Sequence, residues 1–187
     1  MIPHVKICCI SSIAEARLAI KYGASALGLV SAMPSGPGVI PEQLIAEIVS
    51  SVPPPIATFL LTSKQEAESI IQQQRRTRVN TIQICDSVTE ECYKELRRVL
   101  RGVALVQVIH VQEAKSIDEA RSVSPFVDAL LLDSGNQSLP VKELGGTGRT
   151  HDWSISRKIR EEVNVPIFLA GGLHSSNVVD AIEAVRP

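Results

Sequence analysis

Short apolar, β-branched runs alternate with longer amphipathic runs along the whole sequence, and this alternation limits the chain to a narrow set of folds. Val5–Ile10 reads as a strand, and Ser12–Tyr22 follows with a helical apolar pattern closed by Gly23. Ala26–Val30 is the second strand. After a loop rich in Pro and Gly, Met33–Gly38, comes a helix over Pro41–Val52 that opens on proline at a permitted early position. Strands at Ile56–Leu61, Thr81–Cys85 and Ala104–Val111 are followed by helices at Ser63–Gln74, Thr89–Leu100 and Ser116–Val123. Ala129–Asp133 is the sixth strand. A long glycine-containing loop then leads to helix Trp153–Glu162, strand Pro166–Ala170 and helix Ser175–Val185. The strands are continuously apolar, the pattern of strands covered on both faces, and strands joined by helices form a parallel sheet.

Two architectures satisfy that pattern: an eight-fold (β/α) barrel and an open, doubly wound sheet. A unit spacing of roughly 25 residues suits the compact barrel. The first strand–helix turn carries no GxGxxG, which counts against the dinucleotide-binding form of the open sheet. The expectation is therefore an α/β fold of the (β/α)8 TIM-barrel type, built as a single domain over residues 1–187. Seven β/α units are legible, and the eighth is expected to be missing from this sequence, which ends at Pro187.

Charge excludes some partners. Nineteen basic residues against twenty acidic give a net charge of −1, and aromatics make up 3% of the chain. Neither a basic face nor a stacking platform for nucleic acid is expected, and neither is a membrane surface as partner. The N-terminal residues show no basic segment followed by a long apolar run, and no stretch reaches the roughly 18 apolar residues that span a bilayer. Cys8, Cys9, Cys85 and Cys92 show neither zinc spacing nor a disulfide framework. A cytoplasmic protein with reduced thiols is expected.

In a barrel, chemistry gathers at the C-terminal ends of the strands. Polar residues there are Cys8 on the first strand, Gln83, Cys85 and Asp86 on the fourth, His110 on the fifth, Asp133 on the sixth and the Gly171–Gly172 pair after the seventh. Asp133 follows four apolar residues, a costly place for a carboxyl that is neither hydrogen-bonded nor used; the plainer alternative is a cap for the next loop. Cys8 is either a reactive thiol or a small buried hydrophobe. Gly145–Gly148 and Ala170–Leu173 are either simple turns or loops whose backbone N–H groups can approach an anion, commonly a phosphate. His110, His151 and His174 have no metal-ligand spacing and are not counted as site residues.

Several of these motifs, in order, resemble the phosphoribosylanthranilate isomerase family. Lys6-Ile7-Cys8 matches its KIC signature, Ala24–Val30 its second strand and Leu130-Leu131-Leu132-Asp133 its LLLD. Gly145–Gly148 with Asp152-Trp153 resembles GGTGxxxDW, and Leu169–Leu173 with Asn177-Val178 resembles LAGGL…NV. The resemblance implies a TIM barrel and an Amadori rearrangement of N-(5-phosphoribosyl)anthranilate, an aldose–ketose isomerisation in tryptophan biosynthesis. It implies Cys8 as general base and Asp133 as general acid. Gly146, Gly171 and Gly172 become candidate phosphate contacts, and Gln83 a candidate substrate contact. It implies a small phosphorylated substrate, no metal or organic cofactor, and a monomer or homodimer.

The sequence also departs from the family pattern. SPRxV appears as Ser35-Gly36-Pro37-Gly38-Val39, so Pro37 stands where the family has an arginine that would pair with the anthranilate carboxylate. Arg149 or another cation from a neighbouring loop is the alternative partner for that carboxylate. QLHG appears as Gln83-Ile84-Cys85-Asp86, so Cys85 replaces a histidine, and Cys9 replaces the glycine after the base. Two other readings follow: a related barrel isomerase acting on a different phosphorylated substrate, and a non-catalytic paralogue that binds a sugar phosphate.

Overall fold

A computed structural model describes residues 3–187. The chain resolves into two compact units, Met1–Met33 with Pro37–Ala104, and Pro34–Gly36 with Leu105–Pro187.

In the first unit β1 (Lys6–Ile7), β2 (Ala26–Val30), β3 (Ala57–Thr62) and β4 (Thr81–Ile84) alternate with α1 (Ile13–Lys21), α2 (Glu42–Ser51), α3 (Ala67–Thr77) and α4 (Glu90–Val99). All four strands are parallel, with Lys6 opposite Ala26, Ala26 opposite Ala57 and Phe59 opposite Thr81. Every residue of β2 and β4 is buried, as the apolar runs require of strands covered on both faces. Leu27, Leu29, Leu60, Ile82 and Ile84 of the strands and Ile45, Ile48, Ile70, Ile71 and Leu96 of the helices form the core.

The second unit holds β5 (Ala104–His110), α5 (Lys115–Val123), a 3-10 turn at Ser124–Phe126, β6 (Ala129–Asp133), α6 (Trp153–Glu162), β7 (Ile167–Leu169) and α7 (Val178–Val185). Its strands are also parallel: His110 lies opposite Asp133 and Leu130 opposite Ile167. The seven expected strands and seven expected helices are all present among the described residues.

Element ends shift for local reasons. β1 is shorter than its apolar run because Cys9 takes φ 59°, which breaks the extended backbone just after Cys8. α3 starts at Ala67 rather than Ser63, since Thr62 Oγ1 accepts from the Lys64 N–H (3.1 Å) and Ser63 Oγ donates to the Ala32 carbonyl (2.9 Å). α7 starts at Val178, after Asn177 accepts from the His174 N–H (2.8 Å) and donates to the Gly172 carbonyl (3.0 Å).

Candidate active site

In the first unit, alternation along β1 carries Lys6 and Cys8 to the same side. The Lys6 ammonium donates to Cys8 Sγ at 2.6 Å and to Gln83 Oε1 at 3.0 Å, so it ties the end of β1 to β4. It also lies 5.2 Å from the centre of the Phe59 ring. Cys8 is exposed and Gln83 is buried. An ammonium on the sulfur places positive charge where a thiolate would form. Gly28 leaves the sulfur its space: a Cβ there would stand 3.0 Å from Cys8 Sγ and 3.1 Å from Cys8 Cα.

Cys85, in the place of the family's histidine, is buried. Its sulfur accepts from Gln83 Nε2 at 3.6 Å and donates to the Gln83 carbonyl at 3.7 Å. It holds the glutamine that holds the lysine. Cys9 faces the Pro37–Gly38 loop, its thiol 3.7 Å from the Pro37 carbonyl. Burial pushes the Cys9 thiol above its ordinary value, neighbouring Cys8 adds to the rise and Lys6 offsets part of it. A raised value favours the protonated thiol at Cys9.

In the second unit, Asp133 ends β6 half-buried, and its Oδ1 accepts from the Ser134 N–H at 2.7 Å. Both glycine loops close on this carboxyl. A Cβ on Gly145 (φ 138°) would come within 3.1 Å of Asp133 Oδ2, and one on Gly171 (φ 85°) within 3.1 Å of Asp133 Oδ1. A Cβ on Gly172 (φ 59°) would meet the Arg149–Thr150 backbone at 2.6–2.9 Å, so the two loops are in direct contact. Gly146 also has positive φ, 67°. The loops are further tied by Ser134 Oγ and Thr147 Oγ1, 2.7 Å apart. Ser35 Oγ donates to the Lys142 carbonyl at 2.6 Å, which ties residues 34–36 into this unit.

The Asp-Trp dipeptide has a structural role at its first residue. Asp152 is the N-cap of α6 and accepts from the Ser154 N–H at 2.8 Å; the Ser154 side chain first, and then its N–H, hold the Asp152 carboxyl below the usual range. Arg149 is ion-paired with Glu143. Among the described residues no group of three His, Cys, Asp or Glu side chains could hold a metal ion.

Sequence reasoning passed over three residues that lie at these clusters. Lys6 was visible only as a motif letter, although its spacing of two from Cys8 on a strand is a usable signal. His110 and His151 had been set aside, yet His110 pairs in register with Asp133, and His151 Nδ1 stands 3.1 Å from the point where a Gly171 Cβ would lie. No sequence spacing announces that second neighbour, which depends on how the two loops fold.

A sequence profile described as N-(5'phosphoribosyl)anthranilate (PRA) isomerase matches residues 5–187. The chain belongs to this family. A relative from Methanosarcina mazei, named N-(5'-phosphoribosyl)anthranilate isomerase 2, is 35% identical over 185 residues, which cover 98% of this chain and 81% of that one. The crystal structure of phosphoribosyl anthranilate isomerase from Thermotoga maritima aligns with 100% of this chain and 85% of its own, at TM-score 0.80 and 26% identity. A phosphoribosyl anthranilate isomerase in complex with reduced 1-(o-carboxyphenylamino)-1-deoxyribulose 5-phosphate aligns with 100% of this chain and 84% of its own, at TM-score 0.77 and 25% identity. The fold is accordingly of the (β/α)-barrel type, and the open-sheet alternative falls away. Among the described residues no helix is long and apolar enough to cross a membrane.

Proposed function

We propose that this chain is the isomerase that converts N-(5'-phosphoribosyl)anthranilate to its ketose by an Amadori rearrangement in tryptophan biosynthesis. The observation that carries the reading is the Lys6 ammonium 2.6 Å from the Cys8 thiol at the end of β1, in a chain whose family match runs from residue 5 to 187. The aryl carboxylate, sugar chain and phosphate of the molecule bound by the solved relative support the substrate class.

Cys8 and Asp133 are the proposed base and acid, within residues 1–187 taken as one barrel domain. Asp133 gives a proton to the ribose ring oxygen. The C1–O bond breaks with its electron pair on that oxygen, and the nitrogen lone pair forms the C1=N bond of a Schiff base. The Cys8 thiolate then takes the C2 proton, and those electrons form the C1=C2 bond of an enolamine. The ketose follows when C1 regains a proton from Cys8 and the C2 hydroxyl gives its own to the Asp133 carboxylate, which restores both groups. Gly146, Gly171 and Gly172 supply backbone N–H groups for the phosphate, and Gln83 orients substrate and Lys6 together. A working thiol belongs in a reducing compartment, which supports the cytoplasm as its location. The scheme serves a monomer or a homodimer alike.

The test is turnover of phosphoribosylanthranilate by the purified chain and rescue of a tryptophan auxotroph that lacks the isomerase. Cys8→Ser and Asp133→Asn are each expected to lower turnover by at least about a hundredfold with folding retained. Near-full turnover in either variant would remove that residue from its role. A second reading, an isomerase for another phosphorylated substrate, is favoured by one observation: Pro37 replaces the cation and Arg149 is already paired with Glu143. Turnover of an aryl-free phosphorylated aldose above that of phosphoribosylanthranilate would select it.

A further inference from the structure

Cys8 is exposed, Cys9 is half-buried, and Cys85 and Cys92 are buried. Peroxide reaches an exposed sulfur first, and a neighbouring cation favours the thiolate that reacts with it. The sulfenic acid so formed goes on to irreversible sulfinic acid unless a nucleophile takes the sulfur first. The group on the Cys8 sulfur is a nitrogen, Lys6 Nζ at 2.6 Å. A second bond, to Gln83 Oε1 at 3.0 Å, and the Phe59 ring, 5.2 Å away, keep that nitrogen in place. Gln83 is itself buried, and its Nε2 reaches Cys85 Sγ at 3.6 Å. The other thiol that could capture an oxidised Cys8, that of Cys9, is turned elsewhere. Cys9 Sγ is 3.7 Å from the Pro37 carbonyl and 2.8 Å from the place of a Cβ on Gly38, whereas Cys8 Sγ is 3.0 Å from the place of a Cβ on Gly28. The two sulfurs face different glycines, and only one of them carries an amine.

We propose that Lys6 and Cys8 form a reversible redox cross-link, in which the lysine nitrogen captures the peroxide-oxidised sulfur as an S–N bond, a sulfenamide. The Cys8 thiolate attacks one oxygen of hydrogen peroxide. The S–O bond forms, the O–O bond breaks and hydroxide leaves, so the sulfur is oxidised by two electrons and the peroxide is reduced. The hydroxide takes a proton from the Lys6 ammonium and becomes water. The freed lone pair on nitrogen attacks the sulfur, the S–N bond forms, and the S–O bond breaks as hydroxide departs with one proton of that nitrogen, as a second water. Thiolate, ammonium and one peroxide thus give the sulfenamide and two waters. A small thiol reverses the step: its sulfur attacks Cys8, the S–N electrons and the thiol proton go to nitrogen, and a second thiol releases Cys8 from the mixed disulfide. The effect on activity rests on Cys8 being the base of the proposed reaction. A cross-linked sulfur cannot take the C2 proton, so turnover stops, and the same bond keeps the sulfur from the sulfinic acid that would stop it for good.

The experiment treats the full chain and Lys6→Arg with hydrogen peroxide, blocks the remaining thiols with iodoacetamide, digests with trypsin and weighs the peptides. In the wild type, residues 1–17 should appear as one peptide, uncut after Lys6, lighter by two hydrogens than its reduced form and alkylated at Cys9 alone. Dithiothreitol before alkylation should abolish it. Lys6→Arg keeps the positive charge beside the sulfur but has no amine, so its Cys8 should be trapped by dimedone as sulfenic acid and then pass to sulfinic acid. After equal inactivation, dithiothreitol should return most of the wild type's starting turnover and at least about fivefold less of the variant's own. A Cys8–Cys9 disulfide, an oxygen retained between the two side chains, an untouched Cys8, or sulfinic acid forming as fast in the wild type as in Lys6→Arg overturns the proposal. If the wild type does not turn over phosphoribosylanthranilate at all, the functional reading fails, and the peptide masses still decide whether Lys6 and Cys8 are joined.

Discussion

Lys6 Nζ sits 2.6 Å from Cys8 Sγ, two residues along the chain, and the same ammonium donates to Gln83 Oε1 at 3.0 Å. A lysine amine is a compact charge on a flexible stem and does not hold one place unaided. Gln83 anchors it, and Cys85 in turn anchors Gln83. The chain Cys85–Gln83–Lys6–Cys8 therefore delivers a fixed positive charge to an exposed sulfur. Lys6→Met is expected to slow iodoacetamide alkylation of Cys8 at pH 7 by about tenfold and to lower turnover at least as much. A charge-assisted hydrogen bond contributes about 1.5–3 kcal/mol, and exposure of the sulfur places this one at the lower end. Lys6→Arg should recover part of both. Mass spectrometry of the alkylated peptide gives the rate directly, and equal rates in wild type and Lys6→Met would show that the ammonium does not support the thiolate.

Cys9 occupies a left-handed backbone position, φ 59°, where the family pattern has glycine. A residue with a Cβ pays roughly 1–2 kcal/mol there. Cys9→Gly should therefore leave stability within about 1 kcal/mol of wild type, the backbone relief offset by loss of the thiol's packing against Pro37 and Gly38. Cys9→Val should lose at least about 2 kcal/mol, because a β-branched side chain is stiff and poorly suited to positive φ. Urea unfolding ranks the three proteins. Valine at or above wild type would mean the backbone at this position is not left-handed in solution.

Cys92 is buried in α4, and burial, with Glu66 adding to it, pushes its thiol up to about 11 from 9.0. A raised folded-state value means that the unfolded chain releases this proton first as pH rises. The associated stability is complete below pH 9 and is lost on the way to about 11. Thermal melts should show a falling midpoint across that window, shallower in Cys92→Ala than in wild type once each is referred to its own value at pH 8. Parallel slopes in the two proteins would mean that Cys92 ionises as readily folded as unfolded.

The strand–helix rhythm was readable because burial of parallel strands on both faces leaves an unmistakable apolar run, as in Leu130–Leu132 before Asp133. Cys8 and Asp133 stand out as candidates in the sequence because both fall at strand ends, where a barrel gathers its polar groups. Lys6 is legible only as a letter of the Lys6-Ile7-Cys8 motif, since the contacts of its ammonium with Cys8 and Gln83 depend on the fold. His151 could not be found, since its neighbour Asp133 is eighteen positions away and meets it only through the folded path of two glycine loops. Cys85 reads as a loss against the family's histidine; the structure shows it buried and tied to Gln83.

Pro37 leaves the aromatic-acid end of the substrate without its expected cation. Its carbonyl receives the Cys9 thiol, and Arg149 is occupied by Glu143. A bidentate arginine–carboxylate pair is among the stronger single contacts, and truncating a buried one costs about 2–5 kcal/mol. A high KM for phosphoribosylanthranilate is expected. Pro37→Arg restores the family's residue without demanding a new backbone conformation, because arginine accepts the negative φ that proline imposes. If carboxylate recognition is the missing element, KM should fall by at least about tenfold with kcat changed little, since the contact binds ground and transition states alike. Glu143→Gln offers an independent check: it frees Arg149, and a fall in KM there but not in Pro37→Arg would identify Arg149 as the cation that the substrate recruits. An unchanged KM in both folded variants would sink the carboxylate argument and turn the search towards a phosphorylated substrate without an aryl acid.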